Sequence, residues 1–383
     1  MLTREGCLAR RRRLFDAFSE QPDWVVLFDP QNLMYFANYF QTPFVYRSAN
    51  AAAALIMGGD GSSILVCDNQ LKVFADEAYA DEVIAPVWYR GRESAPHRRS
   101  HLVGQVLERL KQCAGSHFLL EGSAVPAAVV EGLRASQPNV RITLIDEVLH
   151  ALKRSKDADE LEVMRRAIHA GDVAFDTALR KVQPGMSELE VFLLVQQTAQ
   201  QTLGEQAQLY GDFVSGPRCE TGGGPPSERV IEAGDLVLID FSVIVRGYRG
   251  DCANTFVCAA TPTAEQRRLH EACLEAMSAG EALLRAGQSC REIDRAVRDS
   301  LAARHLAENF TSHAGHGLGL GHPDPPYIVP DSVDTLVAGD IVTLEPGQYI
   351  RGTAGMRYER NYRITETGYE VLSQLKLQID QNG

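Results

Sequence analysis

The sequence predicts an α+β protein in two parts. An α/β domain covers residues 1–152, and an α+β domain with a pseudo-twofold internal repeat covers 155–383. Three observations lead there. The chain has 383 residues, room for two to three domains at about 150 each. Short apolar runs alternate with amphipathic stretches in the first part. A helix–link–helix–hairpin series then occurs twice.

In the first part, strands are expected at Trp24–Phe28, Ala52–Met57, Ser63–Val66, His117–Leu120 and Arg141–Ile145. Helices are expected at Arg99–Lys111 and Ala127–Ala135, which together give a mixed sheet with flanking helices. No chemical motif stands out in this stretch. Glu121-Gly122 reads as a turn, and the basic run Arg10–Arg13 as the solvated face of a first helix. The polar segment Lys153–Asp157 marks the boundary, because Leu161, Met164, Ile168, Phe175 and Leu179 then recur at helical spacing. The repeat follows, with helices at 159–180 and 188–203 before one hairpin and at 263–284 and 290–305 before another. Ser187 with Glu190 and Ser289 with Glu292 read as matched capping boxes.

Composition narrows the function. Apolar residues are 45% and charged residues 23%, which excludes disorder as an overall description. Lys plus Arg number 38 against 50 Asp plus Glu, a net charge of −12 that disfavours nucleic acid as a partner. No apolar run reaches the roughly 20 residues of a membrane span, and the N-terminal residues carry no apolar leader. The eight cysteines include no CxxC pair, so thiolate metal ligation is not expected and a reducing, cytoplasmic location is.

The chemistry gathers in the two hairpins. Leu236–Phe256 turns near Arg246-Gly247, which sets Asp240 roughly opposite Asp251. Opposed residues of an antiparallel pair have Cβ atoms about 4.5–5.5 Å apart. Carboxylates held that close in an apolar strand need a proton or a cation. Ile341–Tyr362 repeats the arrangement, with Glu345 facing Glu359 about a turn at Gly352. Between the hairpins lies a Gly-rich loop carrying His313, His316 and His322. Four carboxylates and one neutral imidazole carry a charge of −4, which two divalent ions cancel. Oxygen-rich ligation with one His suits Mn²⁺ and also Fe²⁺, Co²⁺ or Zn²⁺.

At these residues the chain resembles the pita-bread metallopeptidases of family M24, the creatinase, prolidase and aminopeptidase P group. The motifs are Ile239-Asp240-Phe241, Gly250-Asp251 with Asn254-Thr255, Gly315-His316-Gly-Leu-Gly319, Leu344-Glu345-Pro-Gly347 and Gly355-Met-Arg357-Tyr-Glu359, in the family's order. The resemblance implies a creatinase-like N-terminal domain, a pita-bread catalytic domain and a homodimer. It implies Asp240, Asp251, His316, Glu345 and Glu359 as ligands of two divalent ions, with Asp251 and Glu359 bridging. It also implies that Glu345 handles the proton of the attacking water.

Three departures stand out. The family's Pro-His histidine is replaced by Thr221-Gly222-Gly223-Gly224-Pro225-Pro226, a second His-Glu-Pro element by His322-Pro-Asp324-Pro, and an acidic residue after the last ligand by Arg360. The candidate substrate-binding residues are His322, Arg357 and His313. Arg357 either binds a substrate carboxylate or orients Glu359 through a salt bridge. His313 either lines the site or, by preference, packs beneath the loop. Cys252 is read as core, and Tyr46 and Arg47 as residues reaching a dimer partner's site. The expected activity is hydrolysis of an Xaa-Pro peptide bond in a small peptide, with Glu345 and His322 catalytic. The alternative is a non-peptide small molecule, through creatinase-like C–N hydrolysis or sulfonium lysis. A non-catalytic binding module is the weakest of the three.

Overall fold

The computed structural model describes residues 1–41 and 51–381, so Tyr46 and Arg47 lie outside the described residues. The chain forms two compact units, Met1–Lys153 and Arg154–Gly383.

In the first unit, α1 (Arg4–Asp16), β1 (Trp24–Leu27) and α2 (Pro30–Ala37) come first. They are followed by β2 (Ala54–Gly58), β3 (Ser63–Val66), α3 (Lys72–Ala75), β4 (Glu82–Ile84) and α4 (Arg98–Leu110). Then come β5 (His117–Leu120), α5 (Ala127–Ser136), β6 (Arg141–Leu144) and α6 (Asp146–Leu152). The sheet order is β4-β3-β2-β1-β5-β6, with β1–β2 and β2–β3 antiparallel and the other pairs parallel. It is the mixed sheet that alternation predicts. β4 and α2 escape a sequence reading because their segments are short.

Two expectations are corrected here. Arg10 and Arg11 do not face solvent: they are 0% and 6% exposed. Their Nε atoms donate to Tyr35 O at 2.7 Å and Phe36 O at 2.9 Å, closing the carbonyl end of α2. Glu121 is not a simple turn residue. Its buried carboxylate accepts from Phe28 N, Asp29 N and Asn32 Nδ2, tying the β1–α2 junction to β5.

The second unit opens with α7 (Ala158–Lys181), α8 (Glu188–Leu203), β7 (Gln208–Ser215), β8 (Leu236–Val245) and β9 (Tyr248–Val257). The pattern then recurs as α9 (Ala264–Glu281), α10 (Cys290–Ala303), β10 (Gly315–Gly317), β11 (Asp324–Ile328) and β12 (Ile341–Leu344). It finishes with β13 (Gly347–Ile350), β14 (Ala354–Arg357), β15 (Arg360–Ile364) and β16 (Tyr369–Val371). One sheet is β7-β8-β9, and the other is β11-β10-β12-β15-β16 with β13-β14 as an annex. Helix α7 packs on β8 and β9, and α9 on β12 to β14. This α+β architecture is the pseudo-twofold pita-bread fold, with its core between helices and sheets.

The two repeats differ in detail. The Ser187–Glu190 capping box forms, but Ser289 makes no side-chain cap. Glu292 turns instead to Arg295 one turn along. A Thr263–Gln266 box at the start of α9 caps the second half. After β16 the chain returns to the first half: Val257 N donates to Ile379 O at 2.9 Å, and Gln374 N to Asp172 Oδ2 at 2.7 Å. Among the described residues, no helix is long and apolar enough to cross a membrane.

Candidate metal centre

Strand pleats and one break in a strand ladder bring the acidic residues together. The β8–β9 turn is Arg246-Gly247, both at positive φ (51° and 89°), as a two-residue hairpin turn demands. The turn therefore centres one residue beyond the midpoint of Asp240 and Asp251. Asp240 pairs with Ala253, and Asp251 with Ser242, so the aspartates are diagonal neighbours rather than directly opposed. A register shift of two keeps them on one face of the sheet.

The second hairpin does centre on Gly352. Leu344 pairs with Arg360 and Gly347 with Arg357, which leaves Glu345 and Glu359 at matching positions in a gap between the two ladders. In that gap the backbone turns elsewhere: Glu345 N donates to Ala314 O at 3.0 Å and Glu359 N to Ala253 O at 2.8 Å. His316 sits on β10, where a Cβ on Gly315 would lie 2.0 Å from Thr343 O. Only glycine lets β10 approach β12 that closely.

These side chains line one cavity of about 490 Å³, together with Tyr210, Asp212, Pro225, His313, His322 and Arg357. Ligand-type atoms of Asp240, Asp251 and Glu359 lie within 4.8 Å of one another, as do those of His313, His316 and Glu345, and of Asp251, His316 and His322. His316 Nδ1 is 2.9 Å from Gly317 O and donates to it, which turns Nε2 toward the carboxylates. His313 does not pack away beneath the loop; its Nε2 is 3.0 Å from Glu345 Oε1. His322 Nε2 is 2.9 Å from Asp251 Oδ2.

The electrostatics are those of a site built for cations. Burial, with Asp251 and Glu345 close by, pushes Asp240 up to about 7 against the pull of Arg357. Burial and the same carboxylates drive Glu359 well above the usual range. Burial also opposes ionisation of Asp251 and Glu345, but His322 and His313 outweigh it and hold both low. Four carboxylates, three of them buried, beside an imidazole lone pair form a donor set that fits two divalent ions.

Arg357 forms its ion pair with Asp240, not with Glu359. Its Nε also donates to Tyr349 OH at 2.7 Å, and Nη2 to Gly222 O at 2.5 Å. Arg360 leaves the site and approaches Glu281 at 3.6 Å. Cys252 is buried core, 3% exposed, on the strand face away from the cavity.

Sequence reading missed two groups. Asn361 Oδ1 accepts Asp251 N at 3.1 Å and its Nδ2 donates to Asp251 O, clamping that backbone from the other half. Asp212 lies on β7 in register with Asp240. A lone aspartate in the apolar-flanked run Tyr210-Gly-Asp-Phe-Val was its one available signal.

Comparison with known proteins agrees with this geometry. Residues 162–366 match the model of metallopeptidase family M24. An uncharacterized peptidase, YqhT, of Bacillus subtilis is 26% identical over 328 residues, covering 85% of this chain and 92% of its own. The X-Pro aminopeptidase of Thermotoga maritima superposes with a TM-score of 0.83 at 22% identity, covering 97% of this chain and 99% of its own. The prolidase of Pyrococcus furiosus does so at 0.74 and 25% identity, covering 93% and 97%. The chain belongs to metallopeptidase family M24, and it is a metal-dependent peptidase of that family.

Proposed function

We propose that this peptidase hydrolyses Xaa-Pro peptide bonds in small peptides with two divalent ions, Mn²⁺ foremost and Co²⁺, Zn²⁺ or Fe²⁺ as substitutes. The observation that carries this reading is the convergence of five carboxylates and three imidazoles on one cavity. Asp240, Asp251, His316, Glu345 and Glu359 would hold the ions. When bound, such ions supply Lewis acidity to the scissile carbonyl and lower the pKa of water.

The chain's own groups do the rest. Glu345 accepts the proton of the attacking water and returns it to the leaving prolyl nitrogen, as base and then acid. His322 lines the cavity 28% exposed and donates toward the oxyanion, while His313 supports Glu345 and faces substrate. Arg357 positions Asp240 through their ion pair.

One observation favours a second reading, a non-peptide small molecule. The wall at Gly222–Gly224 carries no imidazole and instead packs on the carboxylate of Asp212. We further propose a homodimer in a reducing cytoplasm, consistent with eight free, buried cysteines. Light scattering tests the dimer.

The decisive experiment is metal analysis of the purified chain, then reloading with each ion and assay against Xaa-Pro peptides and small zwitterions. About two ions per chain and chelator-sensitive cleavage before proline are expected. Fewer than one ion with activity that survives chelation overturns the reading.

A further inference from the structure

We propose that Arg298 of α10 is a positioning residue for the reaction: its guanidinium, braced by Asp294, aims the imidazole of His313 at Glu345. The inference rests on the reading of Glu345 as the group that moves the proton, and it adds the device that holds the imidazole beside that group.

The clamp is built from one planar fork. Arg298 Nε donates to the carboxylate of Asp294 one helical turn earlier, at 2.8 Å to Oδ2 and 3.1 Å to Oδ1. Asp294 is 1% exposed, so this brace is fixed on the buried face of α10. With Nε held there, the two terminal nitrogens reach the segment that follows the helix. Nη1 donates to Phe310 O at 3.0 Å and Nη2 to Ser312 O at 2.7 Å. The guanidinium also lies over the Phe310 ring, 4.6 Å from its centroid. All three nitrogens are engaged at once. A lysine ammonium is a point charge on a flexible stem and cannot reproduce that plane.

His313 lies between this clamp and the next fixed point of the chain. Ala314 N donates to Ile328 O of β11 at 3.0 Å, and Ala314 O accepts from Glu345 N at 3.0 Å. The backbone of His313 is therefore pinned on one side by Ile328 and Glu345 and on the other by Arg298. The His313 side chain is 36% exposed, so packing alone does not fix its direction; the place of its backbone does. Glu345 is thus tied to this short stretch twice, through its N–H to Ala314 and through Oε1 to His313 Nε2 at 3.0 Å. Release of the Arg298 side would let the imidazole drift while the carboxylate stays. A displacement of about 1 Å between groups that act together can cost about a hundredfold in rate.

The test uses the full chain loaded with Mn²⁺ at pH 7, with alanyl-proline as substrate and ion content measured for every variant. Arg298→Ala and Arg298→Lys should each lower kcat about tenfold to hundredfold, with KM little changed and the bound ions retained. Asp294→Asn, which loosens the brace and leaves the carbonyl contacts, should cost less. In a His313→Gln background, Arg298→Ala should cost little more, because the group it aims is gone. A readout independent of turnover is carbethoxylation of His313 by diethyl pyrocarbonate, followed by peptide mass spectrometry with the exposed His305 as internal standard. Its rate should rise severalfold in both Arg298 variants. Equal losses with and without His313, a rise in KM at unchanged kcat, loss of a bound ion, or an unchanged carbethoxylation rate overturns the clamp. If Arg298→Ala does not fold, Arg298→Lys carries the same comparisons. If wild type does not cleave alanyl-proline, that counts against the Xaa-Pro reading alone, and the carbethoxylation rates decide the clamp.

Discussion

In the first half of Arg154–Gly383, β8 and β9 pair without interruption from Leu236↔Val257 to Val245↔Tyr248, and Asp240 and Asp251 project from regular pleats. In the second half, the ladder between β12 and β15 breaks where Glu345 and Glu359 emerge, and their N–H groups bond to other strands. The first pair is aimed by strand periodicity alone. The second pair is aimed by contacts that cross between strands, including one to the first half. The neighbours differ as well. Asp240 meets a guanidinium that cannot give up its proton, whereas Glu345 meets the imidazole of His313, which can. Proton handling thus falls to the second half, and the first half is mainly a scaffold for charge.

The largest expected effect tests that division of labour. Glu345→Gln should lower kcat by about 10²–10⁴ in protein whose metal content is verified. If Glu345→Gln retains turnover and Asp240→Asn with full metal loses it, the division fails. Next in size is Asn361→Ala, which removes the second half's clamp on Asp251. Metal affinity should fall about tenfold to hundredfold by competition with a chelating dye, as for other groups that orient ligands.

A third test concerns Asp172 on α7. Burial pushes its carboxyl up to about 6, against hydrogen bonds from the returning C-terminal residues. The folded state therefore holds this proton more tightly than the unfolded chain does. The contribution of Asp172 to stability is greatest below about pH 4 and declines as pH rises through 6. Asp172→Asn should remove that decline, raising stability by up to about 2–3 kcal/mol at pH 8 and leaving it unchanged at pH 4, measured by urea melts. The smallest effect separates the two helix starts. Ser187→Ala should cost about 1 kcal/mol and Ser289→Ala close to nothing, since only the first cap forms.

Much of this architecture is legible in the amino-acid sequence, because apolar periodicity and turn chemistry act locally. The centre of the second hairpin follows from Gly352, and the acidic face of the first survives because a turn centre one residue off shifts the register by two. The contacts that escape prediction are long-range. Asn361 bonds to a residue 110 positions away, and Arg10 to a carbonyl 25 away, with nothing in the neighbouring sequence to announce either. His313 and His322 are visible as histidines, but their partners Glu345 and Asp251 are settled only when distant segments meet, for His322 across the two halves. Asp212 shows the same limit most sharply. Its pose depends on a glycine 11 positions later that makes room for it.

The returning residues after β16 bear on the order of events during synthesis. Ile379 completes a main-chain bond of β9, and Gln374 supplies an N–H to Asp172, so the first half closes with residues translated more than 100 positions later. A ribosome releasing this chain would hold α7 to β9 in hand with an open edge until the final stretch emerges. Contacts of such long sequence separation slow folding. Removal of Gln374–Gln381 should therefore unsettle the earliest-made part of the unit, not the latest.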